Sequence, residues 1–285
     1  MSVAVSIEEF FDGERLQARQ SRGGRSYTWW NSNGLLNLGR KVNIMTDETK
    51  SGLAEKLDQQ FNQMVNDQFK TPELQQYYSI RLTWKRALFR EQQRMPYILN
   101  RRTCWAYVQA RSPLDVKQVI WKHEKEELIF DERAHSDHFT LAQRQARDLG
   151  VAEEDVVHAE PPPMIRAALY AHIHLVSTLP WLGALAACHI LERRNNSRAV
   201  EGGGASERWR RKLIDELGIP QDRLPDSNVH VIADVAHADL VWDAIARHTV
   251  NEQAYAAALE GARESLLIDR AVSGAWGHYM QMIEG

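Results

Sequence analysis

The sequence predicts an all-α fold: one bundle of about seven core helices behind a non-helical N-terminal arm. Apolar residues recur at three and four through most of the chain, the period of a helix with one buried face. Alternating β-branched runs, which would mark strands, are missing from the same stretches. Proline, glycine and capping residues punctuate the periodic segments where helices should begin and end.

Residues 1–45 contain Trp29-Trp30 and NSNGLLNLG without a helical period, and are expected to form an arm that wraps the bundle or contacts a second copy. Residues 46–285 form the helical domain. Thr46-Asp47-Glu48 offers a capped start for a helix through LAEKLDQQFNQMVNDQF. Thr71-Pro72-Glu73 puts proline in a first turn, where its missing N–H costs nothing, and predicts one long helix to about Gln109. Ser112-Pro113 opens the next, through VKQVIWKHEKEELIFDERAH, with a break before SDHFTLAQRQARDLG and a C-cap at Gly150. Pro161-Pro162-Pro163 forces extended backbone before MIRAALYAHIHLVSTL, and Pro180 precedes WLGALAACHILERRN. Gly202-Gly203-Gly204 reads as a flexible loop. ERWRRKLIDELG, NVHVIADVAHADLVWDAIARH and NEQAYAAALEGARESLLIDRAVSGAWGHYMQMI complete the bundle.

Composition narrows the function. The chain has 285 residues, 44% hydrophobic and 26% charged, with a net charge of −3. That balance gives no basic surface for nucleic acid, and the cluster RWRRK at 208–212 reads as a solvated helix face. Cys104 and Cys188 lie far apart, which implies neither a disulfide framework nor a cysteine zinc site. No stretch approaches the roughly 20 apolar residues of a spanning helix, so a soluble, cytoplasmic protein without membrane contact is expected.

His230, Asp234 and His237 carry the strongest chemical signal. At about 100° per residue, Asp234 falls roughly 40° from His230 and His237 roughly 20° to its other side. Two imidazoles and a carboxylate then share one narrow stripe, as a transition metal requires of a rigid support. A second stripe lies in VIWKHEKEELIFDERAHSDHF, where a continuous helix would align Glu127, Asp131 and His138, flanked by Glu124 and His135. Glu192 follows Leu182, Leu185, Ala186 and Ile190 on a largely apolar helix, and a carboxylate facing inward there needs a counter-charge, a proton or a metal. His172 and His174 point away from each other, and His123, His158 and His248 read as core residues or supports. Carboxylates and imidazoles on several helices of one bundle are how di-iron sites are built, whereas zinc is satisfied by four ligands.

With these residues in place, the chain resembles the haem-oxygenase-like di-iron oxidases and oxygenases, relatives of the TenA/thiaminase and PqqC folds. Their pattern is a Glu followed by a His, a Glu on a later helix, and then H-x3-D-x2-H. The last element matches His230, Asp234 and His237; the middle Glu matches Glu192; the first pair matches Glu127 or Asp131 with His138. The spacing of the first pair leaves Glu127 and Asp131 both open. The resemblance implies a seven-helix haem-oxygenase-like bundle over roughly residues 75–250, often a homodimer. It implies two Fe(II) ions that use O2 to oxidise an amino acid-derived molecule or a fatty acid. The outcomes it covers are C–C or C–N cleavage, N-oxygenation and decarboxylation. Arg86, Arg90, Tyr107 and Tyr170 stand on helices that could offer partners to such a substrate. Two other readings compete: a metal-free enzyme of the same fold, either PqqC-like oxidase or thiaminase-like hydrolase using Cys188, and a non-catalytic helical partner protein.

Overall fold

The computed structural model describes the strand segments within residues 10–36 and the chain from 47 to 284. It divides into two units, Met1–Thr49 and Lys50–Gly285. In the first, β1 (Phe10–Phe11) pairs antiparallel with β2 (Glu14–Arg15). A separate antiparallel sheet has the order β3 (Gln17–Gln20), β4 (Tyr27–Asn31), β5 (Gly34–Leu36). β4 and β5 thus form a short antiparallel hairpin. The arm expected over residues 1–45 otherwise lies outside the described residues.

The second unit is built from helices alone among the described residues. They are α1 (Asp47–Gln68), α2 (Pro72–Ser79), α3 (Trp84–Arg111), α4 (Leu114–Leu128), α5 (His138–Leu149) and α6 (Glu153–Val157). Then come α7 (Pro163–Thr178), α8 (Trp181–Asn195), α9 (Ala205–Leu217), α10 (Pro225–His248) and α11 (Glu252–Met282). The all-α fold expected from periodicity is what the structure shows.

Not every boundary follows expectation. The long helix predicted from Thr71 is split into α2 and α3, and the cause is tertiary. Lys212 on α9 donates to the Tyr78 and Ile80 carbonyls at 3.0 and 2.9 Å, while the Glu216 carboxylate accepts from Leu82 N–H at 2.6 Å. These side chains supply the caps that a helix end requires. Gly150 does take the left-handed C-cap, with φ 105°.

The centre of the unit is α8, buried on every side from Leu182 to Arg194. A helix enclosed all round must pair its charges. Glu192 meets Arg101 at 3.4 Å, Arg193 meets Asp58 at 2.7 Å, and Arg194 meets Asp269 at 2.6 Å. α11 and α10 pack most extensively on α8. A Cβ at Gly261 on α11 would fall 1.9 Å from the Gly183 carbonyl oxygen, so these two glycines let the helices touch backbone to backbone. A large apolar cluster, including Tyr77, Ile165, Trp209, Leu213, Val272 and Trp276, joins α2, α7, α9 and α11.

Candidate metal centre

α4, α5, α8 and α10 converge on one buried cluster. α4 brings His123, Glu126 and Glu127; α5 brings His138; α8 brings Glu192; and α10 brings His230, Asp234 and His237. Their donor atoms fall into three groups, each within 4.8 Å: His123–Glu127–His237, Glu127–His138–His230, and Glu192–Asp234–His237. Glu127 and His237 each belong to two groups, so the three overlap.

The local chain explains these positions. α4 ends at Leu128, and the second stripe is therefore not the continuous helix it would need to be. Leu128 and Phe130, where the helix gives way to the loop, are 45% and 40% exposed. Instead a tight loop folds back: Asp131 N–H donates to the Ser136 carbonyl at 2.9 Å, and His135 adopts φ 53°, a region that non-glycine residues rarely visit. Asp137 then caps α5 by accepting from Thr140 N–H at 2.8 Å, which makes His138 the first residue of α5. The convergence expected from helical spacing is made by a turn.

The sequence candidates divide accordingly. Glu127, His138, Glu192, His230, Asp234 and His237 stand in the donor groups. Asp131 stands outside them, with Oδ2 2.8 Å from His138 Nε2, while Glu127 Oε1 lies 3.0 Å from the other ring nitrogen. His123, read from sequence as a core or supporting residue, joins the groups. Its signal was present as H-x3-E, one helical turn before Glu127 on the same face.

Each imidazole also touches an outer carboxylate. Glu124 Oε1 lies 2.9 Å from His123 Nδ1, Asp131 2.8 Å from His138 Nε2, Glu126 2.8 Å from His237 Nε2, and Asp226 3.4 Å from His230 Nε2. Arginines hold these carboxylates in turn: Arg102 on Glu124 at 2.8 Å, Arg133 on Asp131 and Glu126, and Arg94 on Asp226. Such carboxylate–histidine contacts fix the tautomer and orientation of a metal-ligating ring.

The electrostatics separate the rings. Burial, helped by His237, pushes His123 down to about 3, so its ring is neutral. Burial also opposes charge on His230, but the Asp234 and Asp226 charges overcome it and raise it well above the usual imidazole range. Burial favours the neutral acid at Glu127, yet Arg102 at 2.9 Å and His138 hold that carboxyl well below its usual value. Burial pushes Glu124 up to about 7 against the pull of Arg102.

A bound cation fits this cluster on three counts. His123 Nε2, His237 Nδ1 and Asp234 Oδ2 are buried without a hydrogen-bond partner, a costly state that a ligated ion would relieve. Imidazole and carboxylate donors suit iron and its neighbours. Three overlapping groups offer more ligands than one tetrahedral ion accepts.

Beside the cluster lies a cavity of about 90 Å3, whose lining includes Glu127, His138, Glu192, His230, Trp209 and Trp276. Arg90 lines it, with its guanidinium 4.7 and 4.9 Å from the Trp209 and Trp276 ring centroids. Of the other candidate substrate contacts, Arg86 instead donates to the Ile283 and Arg81 carbonyls, away from the cavity. Tyr107 and Tyr170 are surface residues, 43% and 67% exposed. Helical direction alone could not distinguish these outward faces from Arg90's inward one.

Comparison with known structures agrees with this architecture. A domain of unknown function with a haem oxygenase-like fold from Shewanella denitrificans OS217 is similar at TM-score 0.63 and 15% identity, over 80% of this chain and 93% of that one. A CADD-like protein of unknown function from Nostoc punctiforme PCC 73102 gives 0.60 and 15%, over 81% and 98%. A TenA homologue from P. horikoshii OT3 gives 0.57 and 13%, over 81% and 98%. At these identities the likeness shows the fold, which is haem-oxygenase-like. No curated protein matches the sequence. Residues 91–270, which span the whole donor cluster, match the sequence pattern of the family described as iron-containing redox enzyme, and the chain belongs to that family.

Proposed function

We propose that the chain is a non-haem di-iron oxygenase or oxidase that uses O2 to oxidise a small molecule, amino acid-derived or a fatty acid. One observation carries the reading: seven donor side chains from four helices meet in overlapping groups within 4.8 Å. His123, Glu127, His138, Glu192, His230, Asp234 and His237 would hold the ions, and Glu127, common to two groups, or Glu192 would be the carboxylate that serves both. Iron bound there would pass electrons to O2 and so supply the oxidising power that takes electrons from the substrate.

The chain's own residues do the rest. Arg90, fixed between two indoles, offers its guanidinium to an acidic group on the substrate. Arg101 and Arg102 neutralise Glu192 and Glu127 inside the low-dielectric core. Glu124, pushed up to about 7 by burial, can hold or release a proton at its carboxylate near neutrality. The thiaminase-like alternative needs an activated thiol, and Cys188 is fully buried with burial pushing its thiol up.

Anaerobic titration with Fe(II), followed by O2 and candidate substrates, tests the proposal. Two irons per chain and substrate-dependent O2 consumption are expected, with both lost or sharply reduced in His237→Ala and Glu192→Ala. A wild-type chain that binds no iron overturns the reading, and full turnover without metal favours the cofactor-free enzyme.

A further inference from the structure

We propose that Arg133 is a positioning residue that aims two histidines of the centre at once; the inference rests on the metal centre proposed above. Arg133 sits in the loop between α4 and α5. Its Nε donates to Asp131 Oδ1 and Oδ2 at 2.9 and 3.1 Å, its backbone N–H donates to Oδ1 at 2.9 Å, and its Nη2 pairs with Glu126 Oε2. Asp131 Oδ2 meets His138 Nε2 and Glu126 Oε2 meets His237 Nε2, both at 2.8 Å. Both rings then bring Nδ1 close to the same atom, Glu127 Oε1: His138 in a hydrogen bond at 3.0 Å, and His237 at 3.3 Å in an ion-pair contact without hydrogen-bond geometry.

The contacts close a circuit: one guanidinium, two outer carboxylates, two imidazoles, one shared inner carboxylate. Three different elements contribute to it, because Glu126 lies on α4, His138 on α5 and His237 on α10. An imidazole can present either nitrogen, and the group on its far side selects which one. Here a single fork makes that choice for two rings, and lysine, a point charge, lacks the planar geometry to hold both carboxylates.

Arg133 is 34% exposed, so its ion pairs contribute little to stability. The effect belongs in metal affinity instead. Titrating metal-free wild type, Arg133→Gln and Arg133→Lys with Co(II), read by ligand-field absorption and binding isotherm beside thermal unfolding, tests this. In Arg133→Gln, binding about 10–100-fold weaker, with shifted bands and a nearly unchanged metal-free melting point, is expected. Arg133→Lys should fall between the two. Wild-type affinity and bands in Arg133→Gln overturn the proposal; should that variant not fold, wild-type affinity in Arg133→Lys overturns it. Wild-type chain that binds no Co(II) removes the metal centre itself, whereas tight binding by all three chains removes only the role of Arg133.

Discussion

His123 and His237 lie 4.4 Å apart, ring to ring, yet the structure shifts their pKa values in opposite directions. Both are buried, which disfavours charge. At His237 the Glu126 hydrogen bond and the Glu127, Glu192 and Asp234 charges overcome burial and raise the group. At His123 they do not, and the ring keeps a lone pair on an unpartnered Nε2. His123→Ala is therefore expected to weaken Co(II) binding by at least about tenfold, since supporting residues alone are worth that much. A calorimetric titration that finds no change would remove His123 from the ligand set. The stripe of His230, Asp234 and His237 was legible because all three ride one uninterrupted helix. The contribution of His123 was harder to see: a lone histidine on an apolar face reads as core until its neighbour across α10 is known.

At the level of elements, helical character and most boundaries could be read from period and punctuation, while the split of α2 from α3 and the short α6 could not. The exceptions include α2, which stops where Lys212 and Glu216 cap it, and α4, which stops where the adjoining Asp131–Ser136 loop turns back. A local pattern carries no trace of a cap that arrives from more than a hundred residues away. The contact of α8 with α11 also belongs to this scale. Gly261→Ala would drive a methyl group into the Gly183 carbonyl, and backbone cannot yield as a side chain can. Overpacking of this kind costs about 1–3 kcal/mol or more. For a unit of this size that corresponds to a melting point roughly 2–12 °C lower, measurable by calorimetry. Because α8 carries Glu192, reduced iron stoichiometry in the same variant is expected to accompany the loss.

For the whole molecule, charge states set opposite limits on the pH range of the metal-free chain. His230 and His237 are raised above 6.5, so their contribution is complete below that value and is lost as pH rises through their folded values. His123 and His172 are pushed down to about 3 and His189 well down, so their contribution is complete above 6.5 and is lost on acidification. A metal must displace the protons on His230 and His237, which becomes easier as pH rises. The gain in melting temperature on adding Co(II) is therefore expected to grow from pH 6 to pH 8; a pH-independent gain would contradict the upward shifts of these two rings. Glu91 is fully buried on α3, accepting from Trp209 Nε1 on α9 at 2.7 Å and from Gln145 on α5 at 3.3 Å. Gln145 in turn accepts from Ser227 N–H on α10 at 3.0 Å. No one of these four helices can detach without stranding a polar group of its neighbours in the apolar interior. Amide exchange across them should follow a single opening event, so the scaffold behind the centre breathes as one body or not at all.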